Sequence, residues 1–148
     1  MGRTLGSPHF VLGGLGMKIE EIVMFPTQLK HVETVSIKSK KLSNDIEREF
    51  NITANTKGEI VDKKTGKCTI QIHVGNNEYF IEEEKIGIFE FENEIDDEKK
   101  AIQFMEVQGI RILWSYVRED LYSISSKMLT RPLMIPTIDV MKTLEKAQ

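Results

Sequence analysis

The chain has 148 residues, 40% of them hydrophobic and 29% charged, with a net charge of −3. These values fit one globular domain with a single core, and the acidic balance, with a pI near 5.7, argues against nucleic acid, which calls for a basic patch. The lone cysteine, Cys68, excludes an internal disulfide and points to a reducing, cytoplasmic setting, while no apolar run approaches the ~20 residues needed to insert in a membrane.

Residues 1–16 carry Gly2, Gly6, Gly13, Gly14 and Gly16 with little periodicity. The glycines interrupt the apolar core that a secretory signal needs. This segment is expected to be a flexible leader outside the fold, with residues 17–148 forming the domain. His31 to Ile37 then alternates, with Val32, Val35 and Ile37 apolar, and leads into Lys38, Lys40 and Lys41. Phe50, Ile52 and Ala54 alternate with polar neighbours as a half-buried strand does. Asp62 to Gly66 is a turn signal. After it, Ile70, Ile72 and Val74 face one way, and Gln71 and His73 the other. Gly75-Asn76-Asn77 suits a tight hairpin. A fourth strand carries Tyr79 and Ile81, then Ile86, Ile88 and Phe91, and is read as broken by Glu82-Glu83-Glu84. Four strands with hairpin-length connections, followed by helices, make an α+β chain with an antiparallel sheet.

The last third predicts a long helix over 110–129. Leu113, Val117, Leu121, Ile124 and Met128 form its apolar stripe, widened by Ile112 and Tyr116 on one side and Ile110 and Trp114 on the other. The arc covers roughly half the cylinder, against about 100° for an ordinary surface helix. Such a face calls for its own sheet and a second subunit, so a dimer or tetramer is expected. Asp120 falls within the arc, either as an interface ion pair or where the arc opens to solvent. Pro132 and Pro136 bound Leu133-Met134-Ile135 and stop the helix. Three large aliphatics on an extended loop are hard to bury, and a binding site is expected there.

Catalytic constellations are lacking in the sequence. His9 lies in the leader, His31 starts a strand, and His73 is expected on a solvated face. Cys68 has no adjacent histidine to activate it. No nucleophile-elbow, phosphate-loop or zinc-protease motif occurs. The acidic runs Glu82–Glu84 and Asp96–Glu98 lack the spacing of a calcium loop, so no metal or cofactor is expected.

Three motifs carry a resemblance to the SecB export chaperones. Glu82 to Phe89 (EEEKIGIF) resembles the family's fourth strand and its terminal Gly-Ile-Phe. Ile112 to Glu119 (ILWSYVRE) is similar to its helix motif, with Trp114-Ser115 in place of Phe-Pro. Pro132 to Asp139 (PLMIPTID) resembles its proline-rich loop before a short last helix, and Gly109 stands where the family often breaks its helix. The motifs fall in the family's order over Val32 to Lys146. The resemblance implies a four-stranded antiparallel sheet, a long helix, a proline-bounded crossover loop and a short C-terminal helix. It also implies a dimer of dimers that holds unfolded polypeptides in apolar grooves without ATP. Carried over by position, the client-binding residues are Phe80, Phe89, Tyr116, Leu133, Met134 and Ile135, and the oligomer interface uses Leu113, Trp114, Val117 and Leu121. Glu82 retains an acidic residue that the family uses to dock the SecA motor. Ser39 and Ser43, beside Lys38, Lys40 and Lys41, stand where further acidic residues are expected, so SecA binding is expected to be weak. Relatives on this scaffold serve antitoxins, so a dedicated client is an alternative to export. A hot-dog-type thioesterase is the enzymatic rival, and an adaptor with one partner a third reading. The thioesterase is disfavoured by a long helix that follows the strands and bears no carboxylate at an obvious catalytic position on its first turn.

Overall fold

A computed structural model describes residues 9–13 and 25–135. Five strands and one helix follow in chain order: β1 (His9–Gly13), β2 (Thr27–Lys41), β3 (Asn51–Asp62), β4 (Thr65–Gly75), β5 (Tyr79–Phe91) and α1 (Glu98–Met128). They build a single sheet in the order β1-β3-β4-β5-β2. The four strands expected from the sequence pair antiparallel with one another in the order β3-β4-β5-β2. The fifth is a correction to the leader reading, because His9–Gly13 pairs in parallel with Asn51–Asn55 at the edge of the sheet.

Hairpin chemistry sets the register. Asp62 pairs with Thr65 across a two-residue turn, and its side chain accepts the Lys64 N–H at 2.9 Å. That bond holds the Asp62 carboxyl below its usual range. In the β4–β5 turn Asn76 plays the corresponding part, accepting the Glu78 N–H at 2.8 Å. With the registers set, every second residue of β3, β4 and β5 points toward α1. Ile52, Ala54, Cys68, Ile70, Ile72, Val74, Ile81 and Phe89 form this inner face and are buried. Thr53, Asn55, Gln71, His73 and Glu82 face solvent on the other side.

The acidic run does not break β5. The strand continues through it for 13 residues, so its inward set runs Tyr79, Ile81, Glu83, Lys85, Gly87, Phe89, Phe91, and Ile86 and Ile88 fall on the opposite face. Unbroken alternation leaves no other outcome: Ile81 and Ile86 differ by an odd number and cannot share a face.

The helix is longer than its apolar stripe suggests. It begins at Glu98, where the Asp97 side chain caps it by accepting the Lys100 N–H at 3.1 Å. Ala101, Phe104 and Met105 extend the buried stripe by about three turns ahead of Leu113, and Phe25 packs edge-on against Phe91 and Phe104. Gly109 lies inside the helix and does not end it. Its role is close approach, since a Cβ there would collide with the Cys68 sulfur. At Gly58 a Cβ would sit 2.7 Å from the Ile102 carbonyl oxygen. The helix thus rests directly on the backbone of the sheet.

Candidate functional site

The segment after α1 is fastened in place by the helix. Leu129 turns to extended geometry and its N–H returns to the Ser125 carbonyl at 2.8 Å. The fully buried Ser125 accepts the Leu133 N–H at 2.7 Å on its hydroxyl, which in turn donates to the Tyr122 carbonyl. Arg118 Nε donates to the Ile135 carbonyl at 2.8 Å. Pinned at positions 133 and 135, the extended backbone sends Leu133 and Ile135 inward, to 8% and 5% exposure, and leaves Met134 76% exposed.

A second wall comes from the segment between β2 and β3. The Leu42 and Ser43 N–H groups both donate to the Glu78 carbonyl, at 2.7 and 3.2 Å. The Glu47 N–H donates to the Glu78 carboxylate at 3.0 Å, and Glu47 in turn accepts the Asn77 N–H at 2.6 Å. Asn76 donates its amide to the Glu49 carbonyl. Between this wall and the crossover lies a groove of about 340 Å³, with Ile46, Phe50, Tyr79, Leu129, Leu133 and Met134 as its apolar lining. Arg48 and Arg131 stand at its rim, exposed.

Of the six residues expected to bind clients, Leu133 and Met134 line this groove. The others do not converge on it. Phe89 is wholly buried beneath the helix, where the strand's alternation places it. Phe80 lies on the opposite face of the sheet, stacked on His73 with ring centroids 6.2 Å apart. Tyr116 projects outward from α1 at 42% exposure, and Ile135 is buried behind the loop. Ile46, Phe50 and Tyr79 were missed. Phe50 and Tyr79 read from their strands as ordinary inward residues, and Ile46 sits in a polar loop with no periodicity to mark it.

A buried charge cluster was also missed. Lys85 Nζ lies 2.7 Å from Asp120 Oδ2 and 3.3 Å from Glu83 Oε2, and donates to the Thr34 hydroxyl at 2.7 Å. Asp120 is thus an intrachain ion pair. Neither Glu83 oxygen has a donor in hydrogen-bonding geometry among the described residues. Burial, then a hydrogen bond to Asp120 and its charge, push the Glu83 carboxyl up to about 8 against the pull of Lys85. Asp120 is held below its usual range despite burial, by hydrogen bonds with Glu83 and Lys85. Two carboxylates share one ammonium, and this excess of negative charge favours the protonated form of Glu83. Burial, reinforced by the charge of Glu106, pushes the Cys68 thiol up to about 12, which removes any nucleophilic role at neutral pH. No metal-holding group of side chains occurs among the described residues, and no helix among them is long and apolar enough to cross a membrane.

No family model matches the sequence, and no curated protein does so. Solved structures do match. A SecB-like chaperone of Mycobacterium tuberculosis, in complex with a ChAD peptide from the HigA1 antitoxin, is similar over 77% of this chain and 88% of its own, with a TM-score of 0.66 at 11% identity. The fold is SecB-like. A Streptococcus agalactiae protein of unknown function is similar over 77% of this chain and 99% of its own, with a TM-score of 0.57 at 12% identity.

On this SecB-like fold the positions expected at the oligomer interface are covered by the chain itself. Leu113, Val117 and Leu121 are 0% exposed and Trp114 3% exposed within one chain, because the wide apolar arc is met by the sheet and by the crossover. Exposed apolar residues lie elsewhere, among them Val35 and Ile37 on the edge strand β2, Tyr116 and Tyr122 on the helix, and Ile46 and Met134 at the groove. Glu82 is exposed on the outer face, and its direct cross-strand partner is Lys38. The short C-terminal helix expected after Pro136 lies outside the described residues.

Proposed function

We propose that this chain is an ATP-independent, non-enzymatic chaperone that binds unfolded or non-native polypeptide segments in the crossover groove. The observation that carries the reading is the pinned loop, which offers Met134 at 76% exposure beside an apolar groove of about 340 Å³. Its backbone is already ordered by Ser125 and Arg118, so a client meets side chains whose loop entropy has been lost in folding. Methionine adapts its shape to varied partners. The likeness to a SecB-like chaperone holding a peptide supports the same reading. The test is suppression of aggregation of several unrelated unfolded proteins without nucleotide; failure with all of them would defeat the proposal.

A client dedicated to this chain, such as an antitoxin, is the second reading, favoured by the antitoxin peptide bound to the Mycobacterium neighbour. Activity toward one partner and none toward the panel would select it. Within this proposal the chain assembles as a homotetramer in the cytoplasm, using the open edge of β2 and its exposed Val35 and Ile37. An export role through SecA is disfavoured, because Lys38 faces Glu82 across the strand pair and offsets the carboxylate that a basic motor surface would seek.

A further inference from the structure

Strand β1 is unlike the rest of the sheet. It pairs in parallel where the other described pairs are antiparallel, and its 5 residues cover Asn51–Asn55 of the 12-residue β3. Parallel pairing is the less stable per residue. Gly13 ends the strand, with Gly14 and Gly16 after it and Gly6 before it, and glycine raises the entropy lost when a segment docks. The register still suits an alternating apolar strand. Phe10 and Leu12 stand opposite Ile52 and Ala54 of the buried face, and Val11 stands opposite Thr53 of the outer face. The edge that β1 covers begins where the client groove ends. Phe50 lines the groove, and the next residue, Asn51, is the partner of His9, one strand step of ~3.3 Å further on.

We propose that the Asn51–Asn55 edge of β3 is a strand-addition site for client backbone, with β1 as the chain's own displaceable occupant. The client is an extended segment with apolar residues at alternate positions. It runs parallel to β3, with its first residues in the groove and the following ones on the edge. Main-chain hydrogen bonds supply affinity whatever the sequence, and alternate side chains supply selectivity. The exchange is nearly balanced, because the client makes the backbone bonds that β1 gives up. Contacts with Phe50 and Met134 in the groove then tip it toward the client. A bare edge would invite aggregation between clients, and a short parallel occupant covers it while remaining easy to release. This inference rests on the client-groove reading.

The test uses the full chain and a nonapeptide alternating leucine and serine, also made with N-methyl groups on all leucines or on all serines. Successive N–H groups of a strand point to opposite sides, so Phe10→Pro with Val11→Pro removes one donor toward β3 whatever its phase. This double variant is expected to keep its circular dichroism and to bind the peptide ~10-fold more tightly, as when a site blocked in ~90% of molecules is freed. One methylation pattern should weaken binding on the order of 10-fold and the other little, because only one edge of the peptide meets β3. In the natural chain, saturating peptide should speed amide exchange at residues 10–13 and leave residues 51–55 protected. Unchanged affinity in the proline variant, or methylated peptides that bind alike, would overturn the inference, and the groove would stand if Met134→Asp still weakens binding. Insensitivity to Met134→Asp would instead defeat the groove reading. Should the proline variant fold poorly, amide exchange decides: residues 10–13 that stay protected under saturating peptide would overturn the inference.

Discussion

Gly109 and Cys68 illustrate how single atoms set this molecule's geometry. The helix approaches β4 so closely that a methyl group at Gly109 would strike the Cys68 sulfur. Gly109→Ala is expected to destabilise the chain by ~1–3 kcal/mol, the usual cost of overpacking, although alanine is the better helix former. Cys68→Ala in the same chain should recover part of that loss, read as urea midpoints of the two single variants and the double one. Glu83 offers a second residue-scale test. Its folded pKa, about 8, exceeds the ordinary value of 4.5, so its contribution to stability is full below about 4.5 and is lost as pH rises through about 8. Stability is expected to fall over that window and to lose this slope in Glu83→Gln. Asp120 works with the opposite sign, because its folded value is lowered; its contribution disappears only in acid. A stability curve flat between pH 5 and 9 would show that Glu83 is not protonated in the fold.

The elements divide into a saturated part and an open part. Helix α1 spends its apolar arc on its own sheet, so Trp114→Glu places an unpaired carboxylate among core residues. It should cost several kcal/mol and abolish folding rather than merely dissociate subunits. Strand β2 is different: it spans 15 residues at the edge of the sheet and is exposed from Glu33 to Lys41. Long apolar edges are pairing sites unless they are protected. Val35→Asp with Ile37→Asp is therefore expected to lower the oligomeric mass by light scattering while leaving far-ultraviolet circular dichroism unchanged. A protein that is monomeric before mutation would refute the assembly proposal.

At the scale of the molecule, two faces of one sheet carry different chemistry. The inner face is covered by α1, and the open apolar surface is the groove beside the crossover. The outer face is polar, with Lys38 opposite Glu82 and Gln71 bonded to Glu84. Because Lys38 and Glu82 offset one another, SecA is expected to bind poorly, and Lys38→Glu should strengthen that binding at low salt while leaving client affinity unchanged. Submicromolar affinity of the natural chain for the host's SecA would show that the lysines do not mask the docking site.

The sequence by itself determined the parts that depend on local period and turn chemistry. The inward set Ile70, Ile72 and Val74, the turn after Asp62, and the stripe Leu113, Val117 and Leu121 follow from spacing alone, because alternation and 3.6-residue repeats are properties of a few consecutive residues. Motif order was enough to anticipate the SecB-like fold. Tertiary structure decided what depends on partners distant in the chain. Glu83 and Lys85 look like surface residues until Asp120, on another element, pairs with Lys85 and makes their burial tolerable. The six proposed client residues scatter because Phe80 and Phe89 differ by an odd number along one strand and must face opposite ways. The groove itself joins Ile46, Phe50, Tyr79 and Leu133, drawn from three separate segments, and no local pattern records that meeting. Prolines announced where the helix stops, but the hydroxyl of Ser125 and the guanidinium of Arg118 hold the crossover in place. Periodicity reports the face that a residue takes within its element; the neighbours it meets depend on how the elements pack.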